Sequence, residues 1–147
     1  MVRKVCLRFH AVACQLHLRK DSRSTIEIKD DEDVRDLLRA LLKMEFDEVM
    51  TDEWTPSYVG TIPSSALFLS EEGIAIVAKK TRASVPPKDL ADQIMADTAF
   101  YTSHYPAGTL FCFVYDPEGR IGSPKQFEMN LTQTGNEHAV EVLVAPK

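Results

Sequence analysis

Long apolar runs are missing from this chain of 147 residues. A bilayer-spanning helix needs about 18 or more consecutive apolar residues, and no stretch approaches that, so no membrane partner is expected. Glycine (6) and proline (8) are too few for collagen-like or linker-dominated sequence. Cysteine is confined to Cys6, Cys14 and Cys112, odd in number and without a CxxC spacing. That set makes no disulfide framework; it predicts reduced, partly buried thiols and a cytoplasmic setting. The basic start Met1-Val2-Arg3-Lys4 has no long apolar segment after it and no small-residue cleavage site, so no signal peptide is expected. Internal repeats, Gly-x-Ser-x-Gly, Walker-type loops and dinucleotide fingerprints are absent as well. The histidines, His10, His17, His104 and His138, make no zinc pattern. His10 and Cys14 are four apart on a predicted helix, but nothing in the sequence completes a tetrahedral set around them. Ser64 or Ser65 as nucleophile would need a positioned histidine that the sequence does not announce.

What is present is the composition of an ordinary globular domain: 44% apolar and 27% charged residues, with a net charge of −5. The length predicts one domain, residues 1–147, with an N-terminal helix and connector over 1–29 and a core over 30–147. Mild acidity argues against a nucleic-acid coat protein and leaves room for a local basic groove.

Val5, Phe9, Val12 and Leu16 recur at helical spacing, with Arg8, Gln15 and Arg19 toward water. Asp21-Ser22-Arg23-Ser24 is a polar break, and Thr25-Ile26-Glu27-Ile28 is extended or a linker. A second helix carries Val34, Leu37, Leu38, Leu41 and Leu42 behind the acidic run Asp30 to Asp33, which suits the positive end of the helix dipole and offers an N-cap. Phe46 to Met50 reads as a short edge strand, and Thr51 to Pro63 as loop, with Trp54 and Tyr58 as packing residues. Ala66 to Leu69 and Ile74 to Ala78, joined by Glu71-Glu72-Gly73, predict an antiparallel hairpin. A helix follows over about residues 88–103, with Leu90, Ile94 and Thr98 on one stripe and Gln93, Asp97 and Tyr101 on another. Pro106 and Gly108 end it. Thr109 to Tyr115 is the clearest buried strand, Asp116 to Gly119 a turn, the segment to Thr134 a loop, and Val140 to Val144 a last strand. The expected fold is therefore α/β: a three-layer domain with a mixed central sheet and flanking helices.

Local motifs sharpen that expectation. Arg8-Phe9-His10 with Gln15-Leu16, Asp33-Val34-Arg35-Asp36-Leu37-Leu38, Trp54-Thr55-Pro56-Ser57-Tyr58, and Phe113-Val114-Tyr115-Asp116-Pro117-Glu118-Gly119-Arg120-Ile121 carry a likeness over nearly the whole chain. Lys79-Lys80-Thr81-Arg82 and the later Gln93, Asp97 and Tyr101 agree with it. In these stretches the chain resembles the PD-(D/E)XK restriction-endonuclease-like family of bacterial defence and signalling proteins. The resemblance implies a restriction-endonuclease-like core and a magnesium-dependent phosphodiesterase site. Its ligands would be one carboxylate on the second strand and a Glu-x-Lys on the third. Side chains at i and i+2 of a strand share a face about 7 Å apart, and two acids there hold a hard cation that activates water while lysine orients it.

The sequence departs from that pattern where it matters. Val77 stands two residues before Lys79, and Ala66 stands at the second-strand position. Neither coordinates a cation. The resemblance leaves Lys79, vestigial or water-orienting, with Gln93 and Tyr101, as catalytic candidates. Lys79, Lys80, Arg82 and Lys88 are the candidate nucleic-acid contacts. No metal is expected; if the domain is active, Asp52, Glu53, Asp36 and Glu72 are the candidate magnesium ligands, with Asp97 a further possibility. The leading expectation is a degenerate nuclease domain that binds DNA, another nucleic acid or a protein. The alternatives are an active endonuclease with relocated carboxylates and an assembly module or homodimer.

Overall fold

The computed structural model describes residues 1–17, 27–54, 64–105, 108–135 and 138–146, with side chains at 52–54, 64 and 65 outside the description. The expectations for Arg19, for Asp21 to Ile26, for Thr55 to Pro63 and for Pro106 fall outside the described residues.

Ten elements follow one another: α1 (Val2–His17), α2 (Asp31–Leu42), β1 (Met50–Trp54), β2 (Ser64–Leu69), β3 (Ile74–Lys80), α3 (Pro87–His104), β4 (Gly108–Tyr115), α4 (Pro124–Leu131), β5 (Gln133–Thr134) and β6 (His138–Ala145). The strands form one sheet in the order β1-β2-β3-β4-β6-β5. β1, β2 and β3 pair antiparallel, β3, β4 and β6 pair parallel, and β5 closes the far edge antiparallel. This is the mixed sheet the sequence predicts. α3 makes the crossover between the parallel strands β3 and β4 that short turns cannot make.

Side-chain alternation divides the core in two. Leu67, Leu69, Ile76, Ala78, Phe111, Phe113, Tyr115 and Leu143 pack against α1 and α2. Ala66, Ala75, Val77, Leu110, Cys112, Val114, Val142 and Val144 pack under α3 and α4. The central strands are therefore apolar on both faces, as strands covered by helices on either side must be.

α2 starts where the sequence places it. Asp30 is the N-cap, its Oδ1 accepting from the Asp33 N–H at 2.9 Å, while Asp33 Oδ2 accepts from the Lys29 N–H at 2.9 Å. Asp31 does more than cap: its Oδ1 accepts from the Lys80 N–H at 2.6 Å, tying the helix start to the end of β3. Gly73 takes φ +67° in the β2–β3 turn, a conformation a side chain disfavours.

Four expectations need correction. The face α1 buries is Val2, Cys6, Phe9 and Ala13, turned from the predicted stripe; Val5 and Val12 are half-buried and Leu16 is exposed. Small Cys6 and Ala13 let the helix sit close to the sheet, and Phe9 anchors it edge-on against Phe113 and Tyr115 at 5.3 and 5.0 Å between ring centres. The edge strand is Met50–Trp54 rather than Phe46 to Met50, because backbone pairing with β2 sets it and its charged side chains give no apolar alternation. The segment read as loop before Thr134 contains α4, introduced by Pro124 in the first turn, a position proline favours. β5 is the fourth correction, a two-residue strand too short to leave a pattern. α4 covers the outer edge of β6 beyond β5. Glu128 Oε2 accepts from the Val144 N–H at 2.9 Å and Thr132 Oγ1 from the Val142 N–H at 3.2 Å, which protects an otherwise open edge.

Candidate functional site

The residues singled out by sequence meet at the C-terminal ends of β3 and β4. Along β3, Ala75, Val77 and Lys79 alternate toward α3, while Ile76, Ala78 and Lys80 alternate toward α1 and α2. The adjacent lysines therefore serve opposite layers.

Lys79 is buried. Its Nζ lies 3.0 Å from Asp97 Oδ2 on α3, with the two side chains 7% and 0% exposed. Asp97 shares the buried face of α3 with Ile94, Thr98 and Tyr101. A charged pair in so dry a place is tolerable only because each ion offsets the other. Cys112 lies close enough to feel both: burial pushes its thiol up to about 12, the Asp97 carboxylate pushes the same way, and Lys79 opposes them.

Ala66 and Val77 face each other across β2 and β3 and are 0% and 1% exposed, and Cys112 continues the row on β4. Asp52 begins this row, because β1 pairs it with Ala66, and Glu53 pairs with Ser65. The magnesium implied by the resemblance needs several oxygen ligands at about 2.1 Å. The described residues do not fit it. Ala66 and Val77 offer carbon, Asp97 is engaged with an ammonium, and among the described residues no group of three or more His, Cys, Asp or Glu side chains converges on a cation position.

The other candidates are scattered. Asp36 is exposed on α2, beside Arg35 at 3.5 Å and across the sheet from Lys79. Glu72 sits in the β2–β3 turn, about seven residues and hence roughly 23 Å of strand from Lys79. Gln93 is half-buried one turn before Asp97. Tyr101, two turns beyond Gln93, stacks on Tyr105 at 5.2 Å and meets the His138 ring edge-on at 5.6 Å. Burial raises its phenol pKa. It belongs to the end of the sheet near Gly108, not to the surroundings of Lys79.

Of the basic group, Lys80 is 8% exposed, its ammonium donating to the Thr81 carbonyl at 3.3 Å and lying 3.7 Å from Glu118. Arg82 is half-buried in the turn after β3, and Lys88 is exposed at the start of α3.

Asp116 is the residue whose role sequence reasoning missed. It is buried, and its Oδ1 accepts from Thr81 Oγ1 at 2.7 Å and from the Arg120 N–H at 2.8 Å, while Oδ2 accepts from the Ile121 N–H at 3.0 Å. The Asp-Pro-Glu-Gly stretch is thus a turn folded around its own carboxylate and latched to β3. The signal was available, since an aspartate opening a Pro/Gly turn commonly accepts from the backbone ahead of it.

A mixed sheet between two helical layers, with a lysine at the end of the third strand, defines a restriction-endonuclease-like domain. The family described as REase_DpnII-MboI matches residues 1–147, and the chain belongs to this DpnII-MboI restriction-endonuclease family. No curated protein and no solved structure matches it. No helix among the described residues is long and apolar enough to cross a membrane.

Proposed function

We propose that this domain has kept the nuclease fold and given up the nuclease metal site, and that it works as a binding module for nucleic acid or a protein partner in a bacterial defence setting. The observation that carries this reading is the buried Lys79–Asp97 pair beside Ala66 and Val77. A lysine that orients an attacking water must reach solvent and keep its charge available; this one is enclosed and neutralised by a single carboxylate. Two carbon side chains occupy the positions that a Mg-binding nuclease fills with oxygen. Arg82 and Lys88 are then the side chains placed to meet phosphates, as point charges without chemistry.

The test is incubation of the purified protein with plasmid DNA and with RNA in magnesium or manganese. The expected result is intact substrate at every metal concentration. Metal-dependent cleavage that disappears in Lys79→Ala overturns the proposal.

A second reading has one observation in its favour. Asp97 brings a carboxylate to Lys79, and Asp52 shares the strand row of Ala66 and Val77. Under this reading relocated carboxylates support an active endonuclease, and cleavage is lost in both Asp97→Asn and Asp52→Asn.

A further inference from the structure

α1 carries a group of side chains that the nuclease reading does not use. Cys14 is exposed, and its Sγ lies 3.5 Å from His10 Nε2, one helical turn back. The other ring nitrogen, His10 Nδ1, is 2.8 Å from the Tyr115 hydroxyl at the end of β4. The His10 and Tyr115 rings are tilted at 5.7 Å between centres. Tyr115 is itself fixed, 4% exposed and packed edge-on against Phe9.

We infer that Cys14, His10 and Tyr115 form a reactive-thiol site that exchanges with low-molecular-weight disulfides. Tyr115 is the positioning residue. When its oxygen accepts from Nδ1–H, Nε2 is left without a hydrogen and faces the thiol as a base. Burial pushes the Tyr115 phenol up to about 12, with the negative charges of Cys14 and Glu118 adding to it, so it stays a neutral phenol at physiological pH. His10 is the group that makes the thiol a nucleophile. Cys14 lies in the last turn of α1, where the helix dipole disfavours negative charge, so a thiolate there depends on the imidazolium beside it. This is the pattern of an activated nucleophile: a thiol, a base, and a third group that orients the base.

The step balances. The Sγ–H proton passes to Nε2, and the thiolate attacks one sulfur of the disulfide. The old S–S bond breaks, a new one joins Cys14 to half of the reagent, and the departing thiolate takes the proton from His10. The disulfide is the oxidant, and one of its halves leaves as thiol. Cys6 and Cys112 cannot compete, because both are buried and both thiols are pushed up to about 12. The inference does not rest on the nucleic-acid reading, and either can fail alone.

The experiment is reaction of the folded protein with a symmetrical aromatic disulfide whose released thiolate is coloured, at neutral pH, with mass spectrometry of the product. One equivalent should react, on Cys14, and Cys14→Ser should abolish it. His10→Gln should slow the reaction about tenfold. Tyr115→Phe, which keeps the ring packing and removes only the hydroxyl, should slow it by about threefold. Reaction at Cys6 or Cys112, or a rate unchanged in His10→Gln, overturns the site. A rate unchanged in Tyr115→Phe overturns it as well, and decides the matter should His10→Gln fail to fold.

Discussion

Removing the Lys79 side chain takes from the buried Asp97 carboxylate the cation 3.0 Å away. Lys79→Met should therefore lower unfolding stability by about 3–5 kcal/mol, read from urea denaturation, although methionine matches much of the lysine stem. Asp116 offers a second test. Its carboxylate receives one hydroxyl and two backbone N–H groups, so Asp116→Ala leaves donors at Thr81, Arg120 and Ile121 without their acceptor. A loss of about 3 kcal/mol is expected in the same assay. At this scale the sequence was half legible. The replacement of ligands by Ala66 and Val77 could be read directly, and so could the stripe Gln93, Asp97, Tyr101. What could not be read was depth. Nothing in Lys79-Lys80 says that both ammonium groups are enclosed, because that follows from α3 on one side and the Asp116 turn on the other, both distant in sequence.

Elements with their own periodicity were legible, and those defined by neighbours were not. α2 announced itself through an acidic cap and a leucine stripe, and the β2–β3 hairpin through two apolar runs around Gly73. β1 is specified by backbone pairing to β2, and α4 spends its side chains on the edge of β6, so neither displays a long apolar pattern. The junction between α3 and β4 is the least forgiving point. Gly108 has φ +132°, and a Cβ there would stand 2.7 Å from both the Gly73 carbonyl oxygen and the Tyr101 hydroxyl. Gly108→Ala should cost about 2–4 kcal/mol by thermal or urea denaturation, since the backbone conformation and the contact with Gly73 both oppose it. Asp30→Ala should cost only about 1 kcal/mol, the ordinary worth of an N-cap.

The whole molecule should be sensitive to base. Cys6 and Cys112 are raised from 9.0 to about 12 in the folded protein. Above pH 9 the unfolded chain sheds these protons and the folded one retains them, so the unfolded state binds fewer protons and stability falls as pH rises. The contribution is complete below pH 9.0 and lost toward pH 12, at about 1.4 kcal/mol per pH unit for each thiol. Denaturation midpoints measured from pH 8 to 11 should show this slope, and Cys112→Ala should halve it. If the domain binds duplex nucleic acid through Arg82 and Lys88, Arg82→Ala or Lys88→Ala should each reduce the slope of log affinity against log salt by about 0.9 in fluorescence anisotropy titrations.

The alternation of β3 has an outcome that a mutational scan would register. Lys79 and Lys80 are chain neighbours, yet the sheet stands between their ammonium groups, and each is answered from a different layer. Their substitutions should sum within about 0.5 kcal/mol, as changes at unrelated sites do. Lys79 and Asp97, 18 residues apart, should instead show strong epistasis: with one of the two already gone, losing the other should cost almost nothing more. Adjacency in this polypeptide is a poor guide to which residues share a fate.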